Sequence, residues 1–385
     1  MQETIGIVGA GTMGCGIAQL AAQHGHPVHL YETDTASAAT ASERIAGVVD
    51  RLVTKGALTK KAAQELLGRI QVCRSIEELE PCSLVLEAIS ENLSAKQELF
   101  ESLSDVCAPS CLFATNTSSL SVAAIAAEAT NPERVLGLHF FNPAPVLPLV
   151  EIIPTDHTTQ EVVKRAETLV RRWGKTTVRA KDTPGFIVNR IARPFYGEAL
   201  RILEEGIADV ATIDSAMRER SGFRMGPFQL MDLIGIDVNL TVTETFYRAM
   251  GCDPRYEPSK LQAALVAKGH LGRKTEVGFY DYRTGAVELQ PSADSALQLN
   301  ISERIVAMIL NEAAEARRAG VASVEDIDTA MVKGANYPRG PLEWIRQIGP
   351  ATVLAQINAL RAQYNTERYR PSPLLETWPT DSHPT

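Results

Sequence analysis

His139 and Glu151, one on each side of a proline-rich loop, are the residue types a general base requires. A histidine titrates near neutrality, and a carboxylate that accepts one ring N–H fixes the tautomer and stabilises the imidazolium. His139 ends a short β-like run, Val135 to His139, and Glu151 lies in a second apolar run, Leu149 to Ile153. Pro143, Pro145 and Pro148 stiffen the loop between them, each fixing its own φ and biasing the preceding residue away from helix. Two strand ends joined in this way can hold two side chains face to face. A core histidine beside an unrelated surface acid would read the same from this stretch alone, so the surrounding elements have to decide.

Upstream, Thr4 to Val8 reads as a strand running into Gly9-Ala10-Gly11-Thr12-Met13-Gly14, and Ile17, Leu20 and Ala21 continue at helical spacing. In that context the first glycine serves the tight turn, the second lets backbone approach a pyrophosphate, and the third lets the helix pack on the strand. The phosphates would lie at the helix N-terminus. A second strand, Val28 to Tyr31, ends in Glu32, an acid placed to accept both adenosine ribose hydroxyls and to repel a 2′-phosphate, which favours NAD over NADP.

Thr35 to Gly68 is helical, broken at Lys55-Gly56 and restarted after Thr59 as N-cap. This helical pair is longer than a crossover needs and carries Arg51, Lys55, Lys60 and Lys61 near its turn, a phosphate clamp or a solvated face. Strands follow at Ile70 to Cys73, Ser83 to Ala88 and Leu112 to Thr115, with a helix from Leu93 to Val106. The alternation predicts a doubly wound sheet with its ligand crevice beyond the carboxyl ends of the strands. Glu91 and Lys96 follow one such end, and Asn116-Thr117-Ser118-Ser119 follow the next, where Ser119 or Ser121 suits a helix cap.

With 385 residues, two or three domains are expected, and 45% hydrophobic with 22% charged residues fits an ordinary globular protein. The net charge of −8 argues against general binding to nucleic acid or anionic membrane. No apolar run approaches a membrane span and no leader is evident, so a cytoplasmic protein is expected. The six cysteines lack metal-ligand spacing and read as reduced, mostly buried thiols, with no metal site.

Thr183-Pro184-Gly185 reads as the start of a helical region, with Thr183 as N-cap, Pro184 in the first helical position, and Asn189 about a turn and a half inside. That region repeats at an offset of 114 residues: Arg190, Glu198, Asp214, Gly226-Pro227 and Ile234-Gly235 recur as Arg304, Glu312, Asp328, Gly340-Pro341 and Ile348-Gly349. Asn189 is replaced by Glu303, so the second copy reads as structural. The expected architecture is an α/β Rossmann-type domain, 1–183, followed by a duplicated all-α C-terminal domain: 184–282, a polar linker 283–299, and 300–385.

The motifs GAGTMG from Gly9, LEAISENL from Leu86, NTSSL from Asn116, GLHFFNPAPVLPLVE from Gly137, KDTPGFIVNR from Lys181, MGPFQLMDLIG from Met225 and GRKTEVGFY from Gly272 resemble the 3-hydroxyacyl-CoA dehydrogenases over nearly the whole chain. With YPRGPLEW from Tyr337 and ERYRPSPLLE from Glu367, the chain is similar to the bacterial subgroup with 3-hydroxybutyryl-CoA dehydrogenases and the 3-hydroxyadipyl-CoA dehydrogenases of phenylacetate breakdown. The resemblance implies reversible NAD-dependent oxidation of (S)-3-hydroxyacyl-CoA to 3-oxoacyl-CoA. It makes His139 the base, Glu151 its orienting partner, and Ser118 and Asn189 the groups that hold the 3-oxygen. Cofactor positions fall on Gly9, Gly11, Thr12, Met13, Gly14, Glu32, Glu91, Lys96, Asn116, Ser118 and Lys274. Substrate positions fall on Lys55 at the CoA, on Asn142, and on Ser118 and Asn189.

Three departures stand out: Val48 where a CoA-contacting serine is usual, Glu276 where a glycine is usual, and Arg224 where a proline is usual. Arg224 could pair with the distal carboxylate of a dicarboxylyl-CoA. The resemblance also implies that the two helical copies pack as a pseudo-dimer within one chain, which is then a monomer or a homodimer. A non-catalytic NAD-binding protein of the same fold has no need of His139, Glu151, Ser118 and Asn189 together. A hydroxy-acid dehydrogenase that ignores CoA has no use for Lys55.

Overall fold

The computed structural model describes residues 3–378. It divides into two compact units, Met1–Phe186 and Ile187–Thr385.

The first unit contains, in order, β1 (Ile5–Val8), α1 (Thr12–Gln23), β2 (Val28–Tyr31), α2 (Thr35–Thr54), α3 (Lys60–Gly68), β3 (Ile70–Cys73), β4 (Leu84–Glu87), α4 (Leu93–Val106), β5 (Leu112–Thr115), α5 (Val122–Ala126), β6 (Val135–Phe140), β7 (Leu149–Pro154), α6 (Gln160–Arg172) and β8 (Thr176–Arg179). The strands form one sheet in the order β3-β2-β1-β4-β5-β6-β7-β8. Its pairs are parallel except β6 with β7, which is antiparallel. The reason is the connection: parallel neighbours need a crossover, whereas the short loop after Phe140 can only turn the chain back. β1, β4 and β5 are buried along their whole length, as parallel strands covered on both faces must be. One face packs Ile7, Leu30, Leu86, Leu138 and Ile152 under Ile17, Leu20, Ala166 and Trp173. The other packs Val8, Val85 and Phe113 against Phe100 and Leu103. Asp34, Thr59, Asn92 and Ser121 each accept an N–H in the first turn of the helix that follows, so these helices start where their caps are.

The second unit is helical: α7 (Val188–Ile191), α8 (Arg193–Glu204), α9 (Val210–Ser221), α10 (Pro227–Ile234), α11 (Ile236–Ala249), α12 (Lys260–Ala267), α13 (Ser295–Arg318), α14 (Val324–Gly334), α15 (Pro341–Ile348), α16 (Pro350–Tyr364) and α17 (Pro373–Glu376). Two details correct the sequence reading. The first helix begins at Val188, not Pro184, because Gly185 and Phe186 take positive φ of 71° and 47°, which no helix can continue through. Asn189 is therefore the second residue of a short helix. The expected linker is also shorter, since Asp294 caps α13 and residues 295–299 already belong to it.

The repeat is visible in its hydrogen bonds. Asp214 accepts the N–H groups of Phe228 and Gln229 at the start of α10, and Asp328 accepts those of Leu342 and Glu343 at the start of α15. A Cβ on Gly226 or Gly340 would come within 2.3 Å of the aspartate concerned, which explains both glycines. The copies are also tied to each other reciprocally. Arg190 donates to Glu312 at 2.7 Å, and its counterpart Arg304 donates to Glu198 at 3.0 Å. Tyr256 donates to Glu312 and Tyr369 to Glu198.

The six cysteines are free and five are buried, Cys252 being the exposed one. Among the described residues no helix is long and apolar enough to cross a membrane, and no group of three or more His, Cys, Asp or Glu residues could hold a metal ion.

Candidate active site

His139 and Glu151 are direct partners in the antiparallel ladder of β6 and β7, so both side chains leave the same face of the sheet. His139 Nδ1 lies 2.6 Å from Glu151 Oε2, with 5% of the histidine and none of the glutamate exposed. An ionised carboxylate only accepts, so Nδ1 carries the proton and Nε2 keeps its lone pair. Phe141 and Phe186 flank the ring, with centroids 4.5 and 5.7 Å away. The loop that joins the two strands is held by Lys175, a residue that no local pattern singles out. Its Nζ donates to the carbonyls of Ala144 and Leu147 at 2.6 and 2.8 Å, and burial pushes the ammonium down to about 8. The neutral amine still has two N–H groups, so both bonds survive deprotonation.

Beside β6, Asn116 Oδ1 accepts the Phe140 N–H at 2.8 Å, which fixes the segment after β5 next to the strand of His139. Glu91 organises that segment: one oxygen accepts from Thr117 Oγ1 (2.7 Å), Ser118 N (3.0 Å), Ser119 N (3.1 Å) and Ser119 Oγ (2.9 Å). Burial pushes the Glu91 carboxyl up, but Lys96 and the two hydroxyls outweigh it, and the group ends below its ordinary value. Lys96 is 1% exposed, and its ammonium lies between Glu87 and Glu91. Glu87 is fully buried and also accepts from Thr115 Oγ1. Lys96 thus faces carboxylates of its own chain. The Ser118 hydroxyl, by contrast, has no hydrogen-bond partner among the described residues.

The glycine loop separates into two kinds of glycine. A Cβ on Gly9, at φ 100°, would come within 2.7 Å of the Ala88 carbonyl oxygen, and one on Gly14 within 1.8 Å of the Gly9 oxygen. A Cβ on Gly11 would meet nothing within 4 Å, and its φ of −69° suits any residue. The fold therefore needs Gly9 and Gly14, while only something placed against the loop needs Gly11. Gly11 is the N-cap of α1 without a capping side chain, so the first N–H groups of the helix, at Thr12 and Met13, are left for an anion. Glu32 stands beside the loop, accepting the Ala10 N–H at 2.8 Å, and Arg44 donates to the Ala10 carbonyl. These residues fit a dinucleotide. Gly11→Ala should leave the melting temperature unchanged and weaken NADH binding by about tenfold, ~1.4 kcal/mol. Gly14→Ala should lower the melting temperature itself. Thermal melts with and without NADH distinguish the two.

Other expected positions stand elsewhere. Lys55 is exposed at the C-cap of α2, and Asn142 is exposed just before the cis Pro143. In the second unit, Asn189 is half-buried in α7. Arg224 is exposed in the bend between α9 and α10, with no ion pair among the described residues. Lys274 pairs with Asp237 at 2.6 Å. Glu276 adopts the left-handed conformation, φ 60°, which accounts for the glycine usual at that turn.

The family described as 3-hydroxyacyl-CoA dehydrogenase, NAD binding domain, matches residues 4–183, and its C-terminal domain matches 185–282 and 301–382. The chain is similar to 3-hydroxyadipyl-CoA dehydrogenase of Escherichia coli (strain K12), at 39% identity over 97% of this chain and 96% of that one. It is also similar to a probable 3-hydroxybutyryl-CoA dehydrogenase of Bacillus subtilis (strain 168), at 39% identity over 73% of this chain and 97% of the relative. A crystal structure of 3-hydroxybutyryl-CoA dehydrogenase from Escherichia coli K12 superposes with a TM-score of 0.91 at 39% identity, covering 98% of each chain.

Proposed function

The chain belongs to the 3-hydroxyacyl-CoA dehydrogenase family, an NAD-dependent oxidoreductase, and on that premise we propose how its residues divide the work. NAD, when bound, accepts the hydride from carbon 3. His139 Nε2 takes the proton of the 3-hydroxyl, and Glu151 holds Nδ1–H and stabilises the imidazolium that results. Ser118 and Asn189 hold the 3-oxygen, and Asn142 belongs to the same substrate set. Glu91 and Lys96 act by fixing the segment that carries Asn116 and Ser118. Gly9, Gly11, Thr12, Met13 and Gly14 receive the pyrophosphate, Glu32 receives the adenosine ribose, and Lys274 belongs to the same cofactor set. The observation that supports this reading best is the buried 2.6 Å contact of His139 with Glu151 beside the Asn116 segment.

The substrate is a short-chain or dicarboxylyl 3-hydroxyacyl-CoA, and Lys55 contacts its CoA moiety. Arg224 remains a candidate for the distal end. The domains we propose are 1–183, 184–282, a linker shortened to 283–294, and a structural second helical copy that starts with α13 at Ser295. The reciprocal Arg–Glu and Tyr–Glu contacts support a pseudo-dimeric packing of the two copies within one chain, as a monomer or a homodimer, and we place the protein in the cytoplasm. A panel of 3-hydroxyacyl-CoAs from C4 upward, with NAD and NADP, tests the reading. We expect turnover with NAD, a strong bias against NADP from Glu32, and a raised KM for every acyl-CoA in Lys55→Ala with unchanged NADH affinity. Equal use of NADP, or an unaltered KM in Lys55→Ala, would contradict those roles.

A further inference from the structure

Along α8, Arg193, Tyr196, Leu200 and Arg201 line a cavity of about 240 Å³ that Thr243 and Tyr256 also line. Three arginines of its wall have carboxylate partners: Arg201 with Glu198 at 2.8 Å, Arg255 with Asp253 at 2.8 Å, and Arg368 with Glu257 at 3.7 Å. Arg193 has none among the described residues, although it is only 7% exposed. Its Nε donates to the Asn189 carbonyl at 2.9 Å and one Nη to Thr243 at 3.0 Å, and the other Nη has no partner among the described residues. Burial draws the guanidinium below its ordinary value, and the nearby phenols of Tyr196 and Tyr337 offset only part of that. A buried cation without a counter-charge is costly unless an anion arrives to pair with it.

A second observation points the same way. The Tyr337 hydroxyl is buried and makes no hydrogen bond, although its ring is packed against Phe195 and Phe223. Buried hydroxyls are ordinarily satisfied, so an orphan one beside an unpaired guanidinium calls for an acceptor.

We propose that Arg193, assisted by Tyr337, receives the distal carboxylate of a dicarboxylyl-CoA and so sets the acyl specificity of the enzyme. This rests on the reading in which Asn189 holds the 3-oxygen. Four residues of near-helical chain separate Asn189 from Arg193, about 6 Å of rise. In a six-carbon diacid the carboxyl carbon lies three bonds beyond carbon 3, about 4 Å when extended. The guanidinium itself folds back toward Asn189, whose carbonyl its Nε bonds, so a diacid held there by its 3-oxygen extends toward it. A butyryl chain ends one bond past carbon 3 and brings no charge.

The test is the ratio of kcat/KM for 3-hydroxyadipyl-CoA to that for 3-hydroxybutyryl-CoA, which is independent of how much of a variant is folded. We expect a ratio well above one in the wild type. It should fall about 10- to 100-fold in Arg193→Gln, the loss of a charged hydrogen bond, several-fold in Tyr337→Phe, and less in Arg193→Lys than in Arg193→Gln. A wild-type ratio near or below one overturns the proposal. So does a ratio that survives Arg193→Gln or collapses only in Arg224→Ala. A wild type that turns over neither thioester overturns the functional reading itself, a distinct result.

Discussion

Replacing His139 with glutamine should lower turnover by about 10²- to 10⁴-fold, roughly 3 to 5.5 kcal/mol of barrier, while NADH binds as before. Glutamine keeps a polar group at the end of β6 but cannot take up a proton, and the residues proposed to hold the cofactor, from Gly9 to Glu32, lie on other elements. Glu151→Gln should be slower than wild type and faster than His139→Gln. Its amide oxygen can still accept Nδ1–H, so the tautomer is kept, but the imidazolium loses its charged partner. The double variant should be little worse than His139→Gln alone, because the two residues act as one device. Steady-state kcat with NADH affinity measured on the same preparations checks this, and near-normal turnover in His139→Gln would contradict it.

Glu198→Ala should destabilise the second unit by about 3–5 kcal/mol, the range for removing one partner of a buried ion pair. Glu198 is fully buried and accepts from Arg201, Arg304 and Tyr369. Its removal leaves Arg201 without a carboxylate among the described residues, while Arg304 keeps only its pairing with Glu205. Glu312→Ala should behave alike, since Glu312 holds the equivalent place toward Arg190 and Tyr256. Burial alone would raise the Glu198 carboxyl, but Arg201 and Arg304 hold it below its ordinary 4.5. Its contribution is therefore complete above that pH and is lost as pH falls below it through the lowered value. Denaturant melts near neutrality and in mild acid should show the variant losing less stability on acidification than the wild type.

Much of this was legible in the chain because it depends on local pattern. The strands and helices of the first unit fall where alternation, caps and glycines put them. The two apolar runs around a short loop made a facing His139 and Glu151 possible, and the ladder register of β6 and β7 pairs them. The duplication showed as a 114-residue offset. What was not legible depends on partners distant in sequence. Glu87 reads as the end of an apolar strand, and nothing local says that Lys96 reaches it. Lys175 looks like a surface lysine until the loop above it supplies two carbonyls. Thr183 does not cap a helix, because its hydroxyl donates to the Lys181 carbonyl. That, with the left-handed Gly185 and Phe186, moved the helix start to Val188. Arg193 looked unremarkable in sequence, because having no counter-charge is a property of its surroundings.

The most direct measurement is the NADH absorbance band after mixing the enzyme and NADH with acetoacetyl-CoA, and separately with free acetoacetate. Rapid loss of absorbance is expected with the thioester, little with the free acid, and a rate with the thioester that collapses in His139→Gln. Equal rates with both compounds, or a thioester rate indifferent to His139, would contradict the proposed function.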